Sequence, residues 1–185
     1  MFYQSNFYLL CSGENMLSLK EEINRRITEN KSLQLDEIAR ECGTTELEAA
    51  RAMPQTMCYF APKDTFDTIW AELTTWEKST FIIQSKGSVF EVKGKISQGK
   101  YGHGYFNLMG EEGLNGHLKV DDLETIAFMT TPFMGMESMS LRFFNNEGAI
   151  KFSIYAGRNK DRKIIPSVSE SFHRLKESVS TLITK

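Results

Sequence analysis

Along this chain the spacing of apolar positions changes twice, from a period near 3.6 to a period of 2 and back again. Residues 16–76 follow the helical period. Leu19, Ile23 and Ile27 recur behind Ser18 and Glu21, which have the spacing of a capping box. Leu35, Ile38, Ala39 and Cys42 make a short apolar stripe that Gly43 ends. Thr45 and Glu48 form a second box, opening a helix that stops before Pro54. Asp64 caps a further helix with Phe66, Ile69, Trp70 and Leu73 on one face.

Residues 79–156 alternate instead. Phe90 and Val92 interleave with Glu91 and Lys93, Leu141 and Phe143 with Ser140 and Arg142, and Ile150, Phe152 and Ile154 with Lys151, Ser153 and Tyr155. Glycines punctuate these runs at close spacing, which predicts an antiparallel sheet with short links. Helical spacing returns in residues 167–184, where Phe172, Leu175, Val179 and Leu182 form a stripe behind Pro166, Ser167 and Glu170. The fold class is α+β: an N-terminal helical segment, an antiparallel sheet and a C-terminal helix packed on it. Residues 16–185 read as a single domain. Residues 1–15 match neither period and read as a disordered or artefactual extension, with Met16 as the expected start.

Composition adds exclusions. Hydrophobic residues at 41% and charged residues at 25% are ordinary for a domain with its own core. A net charge of -2 argues against a polyanion as the main partner. Cys11, Cys42 and Cys58 lack any paired spacing and read as reduced thiols of a cytoplasmic protein. No apolar run is long enough to insert in a membrane. No nucleophile elbow, P-loop, paired zinc-ligand spacing or HExxH is present, so hydrolase and kinase readings have no foothold.

Chemistry concentrates between Tyr101 and Asp122, which hold two of the three histidines. In residues 114–120, Leu114, Gly116, Leu118 and Val120 fall on one face and Asn115, His117 and Lys119 on the other. An imidazole able to coordinate iron, beside an ammonium able to meet a carboxylate, suits a flat anionic ligand. In residues 101–108, Tyr105 shares a face with His103, opposite Phe106 and Leu108. Tyr105 is a possible phenolate ligand or stacking ring, whereas His103, between two glycines, also reads as a turn or bulge residue. Met129, Met134, Met136 and Met139 form a run able to line an apolar ligand or fill a core. His173 reads as packing or surface. Residues 35–53 can be read as a helix-turn-helix, but Glu46 and Glu48 open its second helix and would repel phosphates, so a structural helical pair is preferred.

These pieces have an order that resembles a known family. LDEIARECGTTELEAARAMP, DTFDTIWAELTTW, GHGYFNL, GHLKVDD, TPFMGMES, RFFNNEGAIKFSIYAGRNKDRK and the C-terminal helix are similar to the HutX/ChuX family of intracellular haem-utilisation carriers, over about residues 17–184. The resemblance implies a cytoplasmic protein that binds b-type haem after uptake, then shuttles it to a haem-accepting protein or buffers it. It implies a homodimer, and a fold like one half of the longer HemS-type haem proteins. His117 matches a histidine used toward haem, and Tyr105 a tyrosine implicated as a ligand in some members. A second family histidine falls here at Gln84, a poor iron ligand, which leaves His117 or Tyr105 as the iron ligands. Arg142, Lys93, Lys119 and Lys151 are the expected propionate partners, and Phe133 and Met134 the expected porphyrin or partner-subunit contacts. The expectation is a carrier, with no catalytic residue. Reductant-dependent haem breakdown or iron release is the enzymatic alternative, and DNA binding is the remaining one.

Overall fold

A computed structural model describes residues 13–29, 31, 33–85, 87–110, 113–133 and 135–183, with backbone alone at 13–17, 133 and 181–183. Three helices come first, α1 (Gly13–Thr28), α2 (Leu35–Cys42) and α3 (Glu46–Arg51). Strand β1 (Cys58–Pro62), a 3-10 turn (Lys63–Thr65) and helix α4 (Phe66–Leu73) follow. Then come β2 (Ser79–Ser85), β3 (Ser88–Gly94), β4 (Gly99–Gly102), β5 (Tyr105–Leu108), β6 (Gly116–Leu118), β7 (Leu123–Phe133), β8 (Met136–Asn145) and β9 (Ile150–Ala156). Helix α5 (Pro166–Ile183) closes the described chain.

The strands divide into a large six-stranded sheet, ordered β1-β7-β8-β9-β2-β3, and a small three-stranded sheet, β4-β5-β6. Every pairing is antiparallel. Strand β1 lies inside the stretch that the 3.6-residue spacing assigns to helices. Its five residues are too few to show a period, and a long-range pairing with β7 decides its conformation. It is an edge strand, where Pro62 is tolerated.

Local signals hold in part. Gly43 ends α2 in the left-handed region at φ 62°, and the Thr45 hydroxyl accepts from the Glu48 N–H at 3.1 Å to start α3. Ser18 is not a cap, because α1 already begins at Gly13. Thr65, not Asp64, precedes α4, since residues 63–65 form the 3-10 turn. Ser167 donates to Glu77 at 2.9 Å, so a carboxylate from another segment stands at the start of α5.

One face of the large sheet presents Phe81, Phe128, Leu141, Phe143, Phe152 and Ile154, and α4, α5 and the small sheet cover it. Phe66 and Trp70 of α4 bridge the two sheets. Their rings lie 5.1 and 5.4 Å from Phe106 of the small sheet and 6.0 and 6.4 Å from Phe143 of the large one. The Trp70 indole also donates to the Ser97 carbonyl at 3.1 Å, tying α4 to the chain that enters the small sheet. The opposite face of the large sheet presents Ala127, Met129 and Phe144 beneath α1, α2 and α3. Leu35, Ile38, Leu47, Ala49 and Ala50 are buried there, where α2 and α3 pack on the sheet. Arg26 is buried in this helical layer and is ion-paired with Glu22, Glu37 and Glu41. Hydrogen bonds from Arg25 and Arg26 hold the Glu22 carboxyl down to about 2. Among the described residues, no helix is long and apolar enough to cross a membrane.

The β2–β3 hairpin outruns its neighbour. Strand β9 pairs only with Ser79–Ile82, so the far ends of β2 and β3 project as a two-stranded arm. Its apolar residues Val89 and Phe90 are 54% and 61% exposed, which for Phe90 its alternation with Glu91 and Lys93 does not foretell.

Candidate functional site

The small sheet is built so that its two faces differ. His103 and Gly104 join β4 to β5, with φ of 54° and 78°. Positive φ at both central residues is the type I′ turn that suits the strand twist. His103 therefore sits at an exposed turn tip and does not share a strand face with Tyr105. Alternation then turns Phe106 and Leu108 into the core and Tyr105 and Asn107 outward. Gly99 allows Phe106 its place, since a Cβ there would lie 2.0 Å from the Phe106 ring.

On the outer face, Asn107 stands opposite Lys100 on one side and His117 on the other. Tyr105 and His117 pack edge-on with ring centroids 5.9 Å apart. Lys119 follows His117 on the same face, exposed and with no ion-pair partner among the described residues. Nδ1 of His117 is 2.6 Å from Oδ1 of Asn107. The Asn107 amide nitrogen in turn donates to the carbonyls of Lys100, Gly102 and Tyr105 at 3.1, 3.0 and 3.3 Å. Nε2 of His117 has no hydrogen-bond partner among the described residues. Tyr101 lies across the sheet from this cluster, its ring against Phe106 and its hydroxyl donating to Asp67 at 2.7 Å. Burial and the Asp67 carboxylate push its hydroxyl up to about 12, so it stays a phenol.

The structure thus brings together Tyr105, His117 and Lys119. It places the other expected cations elsewhere, each with a partner. Arg142, on β8, binds Ser140 and the Tyr155 hydroxyl, with its guanidinium 4.8 Å from the Tyr155 ring centre. Lys151 pairs with Asp122 at 2.6 Å and Lys93 with Glu91 at 3.1 Å. Gln84 is exposed on the projecting arm, opposite Val89. Phe133 ends β7, but its side chain, like all of Met134, lies outside the described residues. Met129 and Met139 are buried and fill the core, as one of the two expectations for that run had it. His173 is exposed on α5 beside Phe172.

Sequence reasoning missed Asn107, Lys100 and Met109. Asn107 was within reach of it, two residues after Tyr105 and so on the same face. Lys100 needed the β4–β5 register, which follows from the His103–Gly104 turn. Met109, 67% exposed just after β5, interrupts no pattern. Among the described residues there is no group of three or more His, Cys, Asp or Glu side chains able to hold a bare metal ion. The cluster instead offers one imidazole, one phenol and lysine ammonium groups on an open sheet face.

The chain as a whole is similar to known proteins. The family model for haem utilisation ChuX/HutX proteins matches residues 59–175. The intracellular heme transport protein HutX of Vibrio cholerae serotype O1 is 33% identical over 165 residues, which span 89% of this chain and 86% of that one. A solved structure of the heme binding protein ChuX superposes with a TM-score of 0.78 at 31% identity, covering 88% of this chain and 99% of the other. Holo-PhuS, a heme-binding protein from Pseudomonas aeruginosa, gives a TM-score of 0.69 at 12% identity, covering 93% of this chain and 49% of that longer one, a likeness of fold alone. With the family model matching from β1 into α5 and a curated member 33% identical over 89% of the chain, this chain belongs to the haem utilisation ChuX/HutX family.

Proposed function

We propose that this protein binds b-type haem as cargo on the outer face of the small sheet, and carries or buffers it during haem utilisation. The carrying observation is the exposed pairing of His117 with Tyr105 beside Lys119. The residues fit the cargo in kind. Nε2 of His117 or the Tyr105 phenol is an iron ligand, Lys119 meets a propionate carboxylate, and Met109 offers apolar contact to the ring. Lys100 is a second cation on the same face. Arg142, Lys93 and Lys151 are weaker choices for the propionates, because each already has a partner.

A carrier must release what it binds, and a single axial bond on an open face permits release. The reading is therefore of binding, followed by transfer to a haem-accepting protein, not of catalysis. A cytoplasmic place of action accords with a relative named intracellular. A homodimer accords with the arm: β3 is the last strand of its sheet, and Ile83, Val89 and Phe90 are exposed there. Light scattering of Phe90→Glu beside the wild type tests this. A dimer unaffected by that charge puts the interface elsewhere.

The central test is a hemin titration of the wild type, His117→Ala and Tyr105→Phe, followed by absorbance. The expected result is a saturable Soret shift at about one haem per chain, altered in one variant, which names the iron ligand. Identical titrations for all three remove the small sheet from the site. Gln84→His is titrated alongside, and a changed spectrum there would bring the arm into the site.

A further inference from the structure

We infer that Asn107 is a positioning residue that fixes the tautomer of His117, so that the imidazole offers an unprotonated Nε2 to an incoming iron. The inference rests on the haem reading of this face and names what makes His117 ready as a ligand.

The Asn107 amide nitrogen faces three backbone carbonyls, those of Lys100, Gly102 and Tyr105. Carbonyl oxygens only accept, so the NH2 group belongs on that side and Oδ1 on the other. Oδ1 stands 2.6 Å from Nδ1 of His117. An amide oxygen has no proton to give, so Nδ1 must hold the proton of that bond. A neutral imidazole carries one N–H, and the lone pair is left on Nε2. Without the acceptor, the proton is free to distribute between the two nitrogens.

The anchoring is unusually local. All three carbonyls belong to the β4–β5 hairpin, two of them to the residues that flank the His103–Gly104 turn. Asn107 is itself on β5, directly opposite His117. The hairpin's own backbone therefore sets the orientation of the amide, and the amide sets the ring. A hydrogen bond accepted from Nδ1–H also raises the basicity of the opposite nitrogen, which strengthens it toward a metal.

The tautomer is read in the protein without haem, from two-bond proton–nitrogen correlations of 15N-histidine-labelled protein above the titration range of histidine. Two variants separate the roles of Asn107. Asn107→Leu removes the acceptor. Asn107→Asp keeps an oxygen at Nδ1 but gives up the donors to the carbonyls. Circular dichroism confirms that each variant is folded. The wild type and Asn107→Asp are expected to show the proton on Nδ1. Asn107→Leu is expected to lose that preference and to bind hemin roughly ten-fold more weakly, the lower end of losses seen when a partner behind a metal ligand is removed. A wild-type proton on Nε2 overturns the inference, as does an unchanged tautomer in Asn107→Leu. So does a shifted tautomer with unchanged hemin affinity, provided that His117→Ala itself weakens hemin binding. Loss in Asn107→Asp as severe as in Asn107→Leu also overturns it, by showing that only closure of the hairpin matters. His117→Ala keeps the two readings apart: if it binds hemin as the wild type does, the haem site fails while the tautomer result stands.

Discussion

The two faces of the small sheet are made from the same strands, with opposite physics. Phe106 and Leu108 point inward and are buried against Phe66 and Trp70. Tyr105, Asn107 and His117 point outward, where contacts are polar and open to solvent. A residue's place in the alternation therefore decides whether its loss costs the fold or the ligand. The inner face holds the site against the core, and the outer face leaves Tyr105 and His117 exposed to bind.

The largest test of this division is Phe106→Ala. It removes a ring that touches Phe66, Trp70 and Tyr101, and should cost about 3–5 kcal/mol in guanidinium unfolding. Hemin binding should survive in whatever fraction stays folded. Next comes Gly99→Ala, whose methyl would overlap the Phe106 ring and should cost about 1–3 kcal/mol. A neutral result there would show that the small sheet can shift on the core. On the outer face, His117→Ala should change unfolding by less than about 0.5 kcal/mol while altering the haem spectrum. A large loss of stability would collapse the distinction between the faces. Lys119→Ala should weaken hemin binding by roughly two- to five-fold, and by less at high salt, as expected of one exposed charge pair.

The smallest effect marks where the division stops. In the helical layer, polar groups do support the fold. The Glu22 carboxyl is held at about 2 in the folded state by Arg25 and Arg26, against an ordinary 4.5. A depressed carboxylate contributes stability above its unfolded value and loses it as pH falls through the folded one. Urea midpoints should therefore show the wild type losing its advantage over Glu22→Gln between about pH 4.5 and pH 2. An advantage that is constant with pH would assign it to packing.

Much of this was readable from the chain. The stretch GYFNL gave both its buried and its exposed residues by alternation alone, and LNGHLK placed Leu118 inward and His117 outward. Caps at Gly43 and Thr45 were equally local. What failed needed distant partners. Strand β1 is set by β7, and the split into two sheets depends on which edges meet, which no single strand encodes. Lys151 looks free because the sequence does not show that Asp122 neutralises it, whereas the pairing of Lys93 with Glu91, two residues away on the same strand face, is local. Phe90 looked buried because alternation gives a side chain's direction but not what covers it. At His103 the flanking glycines point to the turn that the structure shows, and the strand-face alternative fails because its backbone is left-handed at φ 54°.

The His103–Gly104 turn has a consequence for the order of assembly. It closes the β4–β5 ladder across two residues, and β6 joins it after another short link. The large sheet instead must bring Cys58 beside Met129 and Ser79 beside Ala156. Loop-closure entropy rises with the logarithm of the separation, and distant pairings slow folding. The sheet that bears His117 thus closes through sequence-local links alone, whereas the platform beneath it, besides its own tight hairpins, must close two long loops.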